Sequence, residues 1–250
     1  MKNITLEAKG FTLLEALLSL GILSFILAAS FHFFHLSRKH FLQLKRQEEI
    51  HLSLRVALDK ITRELLTEGI NLRQAVSLHL ITPLEITTNS ILIRSGEEKI
   101  KPKTDLVAGQ TLIELNWPRK ISSKRSLLFH DHQKGEIKKL RQINRNSILL
   151  ASPLLHSYQK DLTAIILLRE IKIFFDSAKN QLRIKFNTSP PQPLAEDLKA
   201  ASFSFEEKTN LLKIKLISAD QKDHPLETII FLKNKALRGK IFAQEVGQCP

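Results

Sequence analysis

The chain has 250 residues and a formal net charge of +13, with 43% apolar residues, enough for a sizeable core. Length and composition suit one domain, or a long helix plus one or two small lobes. Its one cysteine, Cys249, excludes an intramolecular disulfide and any disulfide-stapled fold. A basic surface of this size attracts nucleic acid, anionic lipid or acidic partners; the plainer alternative is a solvated basic face with no specific ligand. The lysines are scattered (Lys172, Lys179, Lys185, Lys199, Lys213, Lys215) and form no dense tract.

Met1 to Gly10 is short and polar and carries Lys2 and Lys9. Phe11 to Leu36 then runs for 26 residues without Asp, Lys, Arg or Pro, and its one acidic residue is Glu15. A spanning helix needs about 20 largely apolar residues, so this segment is long enough. In a secretory signal peptide the cleavage site follows the apolar stretch and the stretch is lost. Here the small residue Gly10 precedes it, and cleavage after Gly10 removes the leader and keeps the helix. A carboxylate within a membrane segment is expensive and marks function by default. Glu15 lies four residues after Phe11, roughly 6 Å along a helix. In a staggered stack of helices its carboxylate can meet the Phe11 amine of a neighbouring copy; alternatively it only snorkels to the headgroups. Gly21, Ser24 and Ala28 place small side chains at helical spacing, which lets membrane helices approach closely. His32 and His35 sit among Phe31, Phe33 and Phe34, where an interfacial helix end is expected rather than a metal pair.

Gly10-Phe11-Thr12-Leu13-Leu14-Glu15-Ala16 resembles the type IV prepilin cleavage and methylation motif. The resemblance implies that a dedicated prepilin peptidase cuts after Gly10 and methylates Phe11, and that Glu15, the fifth mature residue, serves subunit assembly. It also implies an α+β, pilin-like fold. In that plan a long N-terminal helix, half membrane-spanning and half amphipathic, packs on an antiparallel β-rich globular body. Charge alone argues for the opposite topology. Arg38, Lys39, Lys45 and Arg46 follow the apolar run while only Lys2 and Lys9 precede it, so the positive-inside rule would place the far end in the cytoplasm. An orientation with the leader inside and the body in the periplasm therefore rests on the resemblance.

Beyond Leu36 the helical period continues. Ile50, Leu54, Ala57, Ile61 and Leu65 share one face. Asp59 and Arg63 are an i,i+4 pair of favourable order, and Gly69 is the expected C-cap. The expected organisation is a cleaved leader (1–10), a transmembrane helix (11–36), an amphipathic continuation (37–69) and a β-rich periplasmic body (70–250).

In the body, Leu84–Thr87 and Ser90–Arg94 flank Thr88-Asn89 as a tight hairpin. Ile171–Phe175 and Leu182–Asn187 form a second across Asp176–Gln181. Leu182, Ile184 and Phe186, and again Leu212, Ile214 and Leu216, alternate with Arg or Lys, the pattern of half-buried strands. Phe203–Glu206 and Thr228–Leu232 are further strands, and Ser189–Pro193 is a loop. The segment Arg55–Leu65 leading to Glu68-Gly69 resembles the late-helix segment of PilW-type minor pilins and GspJ-type pseudopilins of type II secretion, and Gly135–Pro153 followed by Leu194–Leu198 is loosely similar to the PilW body.

Catalytic or metal-binding constellations are weak. His130-Asp131-His132 reads as a polar turn, since adjacent strand residues point to opposite faces. Gly96-Glu97-Glu98 and Glu206-Glu207 read as solvated turns. Trp117-Pro118-Arg119-Lys120 puts an aromatic beside cations and can stack a base of single-stranded DNA, although a core or loop tryptophan is commoner. No P-loop, dinucleotide loop, nucleophile elbow or paired-cysteine metal motif occurs. The leading expectation is a non-enzymatic minor pilin or pseudopilin, without cofactor or metal. Its partners would be the prepilin peptidase, other minor and major pilins or pseudopilins, and inner-membrane lipid. The alternatives are a DNA-binding pilin of a DNA-uptake pilus and a signal-anchored periplasmic enzyme or sensor.

Overall fold

The computed structural model describes residues 12–115, 124–144, 146–219 and 225–233. Gly10, Phe11, Trp117–Lys120 and Cys249, singled out above, lie outside the described residues. The protein is α+β, with a long N-terminal helix followed by an antiparallel β-rich body. The chain divides into two units, Met1–His51 and Leu52–Pro250. Helix α1 (Leu13–Leu65, 53 residues) runs through that division.

In the second unit, the last turns of α1 bury Leu54, Ala57, Ile61 and Leu65 of the expected stripe and Leu58 beside it, while Ile50 at the stripe's start is only half-buried. The same face buries Glu64, whose carboxylate pairs with Lys60 (2.8 Å) and with Arg169 of the sheet (3.0 Å). Lys60 and Arg169 each stand 5.7 Å from the centroid of the Phe186 ring. The i,i+4 pair that closes here is thus Lys60–Glu64, one position on from Asp59–Arg63, because only Glu64 faces the sheet and must be neutralised.

Gly69 does not cap α1. The helix ends at Leu65, and the following N–H groups tighten into i→i−3 bonds from Thr67 to Glu64 and from Glu68 to Leu65. Gly69 adopts the left-handed conformation (φ 68°), but its N–H donates to the carbonyl of Arg94 (2.9 Å). The Gly96 N–H donates back to Ile70 (2.8 Å), and the Asn71 amide to the Gly96 carbonyl (3.0 Å). A Cβ on Gly96 would fall 2.6 Å from Ile166 Cγ2, so this close approach requires glycine. The short helix α2 (Arg73–Ser77) follows.

The larger sheet has nine strands: β1 (Leu84–Thr87), β2 (Ser90–Ile100), β3 (Leu112–Glu114), β4 (Ser126–His130), β5 (Gly135–Ile143), β6 (Ser147–Leu150), β7 (Ala164–Asp176), β8 (Gln181–Phe186) and β9 (Gln192–Ala195). Its main path is β1-β2-β7-β4-β5-β6-β3, and β8 pairs with both β7 and β9. The 13-residue β7 is the spine. One edge pairs with β2. The other is shared, Ala164–Leu167 facing β4 and Ile171–Asp176 facing β8. Its sequence explains this. Ala164–Leu168 is an unbroken apolar run buried on both faces, whereas Ile171 and Ile173 alternate with the exposed Lys172. On one face, Leu128, Ile166 and Leu168 pack with Leu72 and Ala75 of the α2 region. On the other, Leu127, Phe129, Ile165 and Leu167 join Leu106, Ile113, Leu140, Leu154 and Tyr158.

A second sheet, β10 (Leu198–Glu206), β11 (Leu211–Ser218) and β12 (Leu226–Phe231), is also antiparallel. It is tied to the hairpin tips of the first by Phe203 N–H to the Thr88 carbonyl and Leu198 N–H to the Asn180 carbonyl, both 2.9 Å. The hairpins at Thr88-Asn89 and Asp176–Gln181 form as expected. Two readings are corrected. Gln192 and Pro193 belong to edge strand β9 rather than to a loop; proline is tolerated there because β9 pairs on one side only. Gly96-Glu97-Glu98 lies inside β2 at a bulge, not in a turn, and Glu97 binds Arg125 (2.7 Å).

Candidate functional site

Within the first unit, the described residues of α1 from Leu13 to Glu49 are all exposed. An 18-residue window of α1 has mean hydropathy 2.1 and is 0% buried, which makes α1 long and apolar enough to cross a membrane. Phe25, Phe31, Phe33 and Phe34 are each more than half exposed. A core helix of this length would bury such a surface; this one leaves it exposed.

The helix start is built by Thr12 and Glu15. The Thr12 N–H (3.0 Å) and hydroxyl (2.9 Å) both donate to Glu15 Oε2, and the Glu15 N–H returns a bond to Thr12 Oγ1 (3.3 Å). This is a reciprocal capping box, in which Ser or Thr precedes Glu by three residues and each satisfies an otherwise unpaired donor of the first turn. Thr12-x-x-Glu15 was readable as such in the sequence. Glu15 therefore has a partner within its own chain, a role besides the intersubunit pairing expected above.

Gly21, Ser24 and Ala28 lie within about 60° of one another around a helix of 3.6 residues per turn. All three are exposed. Nothing lies within 4 Å of where a Gly21 Cβ would sit. The Ser24 hydroxyl is satisfied by the carbonyls of Leu20 (2.7 Å) and Gly21 (3.0 Å), so it adds little polarity to the strip. Among the described residues, no group of three His, Cys, Asp or Glu side chains is placed to hold a metal, at His32 and His35 or elsewhere.

Asp131 and His132 lie in the tight connection between β4 and β5, as the turn reading expects, but His130 does not. Asp131 Oδ1 accepts the N–H groups of Gln133 and Lys134 (2.8 Å each), and His132 Nδ1 meets the Gln74 amide (3.0 Å). His130 is the last residue of β4 and is buried, and that burial holds it below the ordinary histidine range.

A heavily bonded carboxylate of the body is Glu136, whose role the sequence did not announce. Its oxygens accept the N–H of Leu155 (2.9 and 3.0 Å), the N–H of His156 (3.1 Å) and the Tyr158 hydroxyl (3.1 Å), and Oε2 pairs with Lys138 (2.9 Å). Burial by itself raises the Glu136 carboxyl. The Leu155 N–H, the Lys138 ammonium, the His156 N–H and the Tyr158 hydroxyl outweigh it and hold Glu136 below the ordinary carboxylate range. Burial and the Glu136 charge raise the Tyr158 phenol. The network locks the Leu154–Tyr158 segment onto β5. Its one sequence signal was the alternation Glu136-x-Lys138-x-Leu140, which puts a charge pair on the face that carries core leucine.

Comparison with protein-family models, with curated proteins and with solved structures returns no match in any of the three.

Proposed function

We propose that this protein is a minor pilin or pseudopilin: a non-enzymatic subunit cleaved after Gly10, anchored by α1 in the inner membrane with its β-rich body in the periplasm, and drawn into a type IV pilus or type II secretion pseudopilus with related subunits. One observation carries the reading. A helix that starts at Leu13, immediately after the Gly10-Phe11 motif, exposes an apolar run to Leu36 whose single carboxylate, Glu15, sits in the first turn. A secretory signal would discard such a helix; the order of leader, glycine and apolar run retains it. The helix then supplies both the membrane anchor and, through Gly21, Ser24 and Ala28, a strip for close packing against neighbouring helices. Mass spectrometry of the membrane-extracted chain from cells with an active prepilin peptidase tests this. The expected N-terminus is methylated Phe11; an intact Met1 terminus rules the reading out.

A further inference from the structure

The segment of α1 that follows the apolar run has a one-sided charge. Between Glu15 and Glu48 there is no acidic residue, and the cations Arg38, Lys39, Lys45 and Arg46 fall in the last third of that interval. At about 100° per residue all four project within about 120° of the helix circumference, with His35 between them. The opposite side carries Leu36, His40 and Leu44 instead. Every residue from Arg38 to Glu49 is exposed. The pair that Lys45 makes with Glu49 is long (3.9 Å) and open to solvent, and an ion pair of that kind neutralises little.

Its place along the axis is as informative as its sign. A hydrocarbon layer of about 30 Å takes up about 20 helical residues, which carries a span begun at Leu13 to about His32. Arg38 and Lys39 follow about 9 Å later, at the depth of the headgroups, and their side chains reach back along the helix toward them. Arg46 lies about 12 Å beyond Arg38. Phe31, Phe33 and Phe34 mark the boundary between the two layers.

We propose that this patch is a binding site for anionic phospholipid headgroups, with Arg38 and Lys39 on the phosphodiesters nearest the helix and Lys45 and Arg46 extending the site outward. It rests on the reading that α1 is a membrane anchor and adds a lipid preference to it. A ring of cations around the helix would serve as a general interfacial anchor. Cations gathered on one side favour a discrete set of anionic headgroups on that side.

The test uses the full chain in nanodiscs of mixed phosphatidylglycerol and phosphatidylcholine, with native mass spectrometry of the lipids retained. Phosphatidylglycerol is expected to be enriched, and each cation removed is expected to cost about fivefold in that enrichment. R38Q/K39Q/K45Q/R46Q should abolish it, while the charge-matched body variant K172Q/K179Q/K185Q/K199Q should retain it. Inorganic phosphate should compete no better than chloride at equal ionic strength. Equal retention of both lipids, an equal loss in the two variants, or specific displacement by inorganic phosphate overturns the site. Extraction by alkaline carbonate separates the two readings. A chain released as soluble protein overturns the membrane anchor and the site together, whereas one that stays with the bilayer but shows no lipid preference overturns the site alone.

Discussion

A carboxylate removed from water must recover donors from the protein, and Glu136 recovers the N–H groups of Leu155 and His156, the Tyr158 hydroxyl and the Lys138 ammonium. All of these favour its charged form, so its folded-state pKa lies below the ordinary value near 4.5. The sign of the linkage follows. Above 4.5 the group is charged in folded and unfolded chains, and the network's contribution is complete; below 4.5 the unfolded chain takes up the proton first, and that contribution is lost as pH falls through the folded pKa. The buried His130 acts in the same direction at higher pH, because burial resists the proton that the unfolded chain accepts readily. Urea denaturation of the body is therefore expected to show stability falling from about pH 6.5 downward, with a second loss below about pH 4.5. Glu136→Gln should cost about 3 kcal/mol at neutral pH, since it strands Lys138, and should flatten the acid-side loss. Pairing it with Lys138→Met should recover much of the stability; if the double variant is as unstable as the single one, the stranded charge is not the cause.

Elements that depend on one periodicity were legible in the sequence, and those that depend on two chains of contact were not. The stripe Leu54, Ala57, Ile61, Leu65 and the Thr88-Asn89 hairpin follow from spacing alone and are present. The first half of β7 was missed because Ala164–Leu168 is buried on both faces and so shows no alternation. Glu97 and Glu98 read as a turn because the bulge that lets them sit in β2 is set by Ile166 and by the Ile70–Asn71 segment crossing its edge. Of the candidate site, the apolar run and its one carboxylate were visible. The capping box of Thr12 and Glu15 follows from their i,i+3 spacing, whereas the buried roles of Glu64 and Glu136 were not legible, since each depends on partners distant in sequence, Arg169 and the Leu155–Tyr158 segment. Two glycines separate these cases by experiment. Gly96→Ala forces a Cβ to 2.6 Å from Ile166 Cγ2 and 3.0 Å from Asn71 Cβ, and should destabilise the body by about 2 kcal/mol in urea melts. Gly21→Ala meets open space on α1 and should leave the body's stability unchanged while raising helicity, by about 1 kcal/mol of propensity. If Gly21→Ala nevertheless lowers co-purification with other membrane subunits, the added methyl is felt at a helix–helix contact.

At the scale of the whole molecule, the two units should depend on different media. From Leu52 onward the protein holds a conventional core, and Ile61, Leu72, Phe129 and Ile165 are almost wholly inaccessible. Before it, the residues of α1 from Leu13 to Ser37 are all exposed, so packing among the described residues does not stabilise them. An isolated helix in water is marginal at best, and its stability in a protein comes mostly from burying an apolar face. On the proposed reading, lipid supplies that burial for Leu13–Ser37. Urea does not displace helices from a bilayer readily, because every backbone N–H and C=O of a spanning helix is bonded internally and the exposed alternative is costly in hydrocarbon. In nanodiscs, rising urea should therefore melt the β-rich unit in one cooperative step. Amides of Leu13–Ser37 should stay protected from hydrogen exchange throughout, and residual far-UV helicity should match that segment. In aqueous buffer without lipid or detergent, the same segment should drive aggregation before any melting is seen. Loss of protection in Leu13–Ser37 together with the β-rich unit, in the presence of lipid, would show that the helix draws its stability from the body and is not an independent anchor.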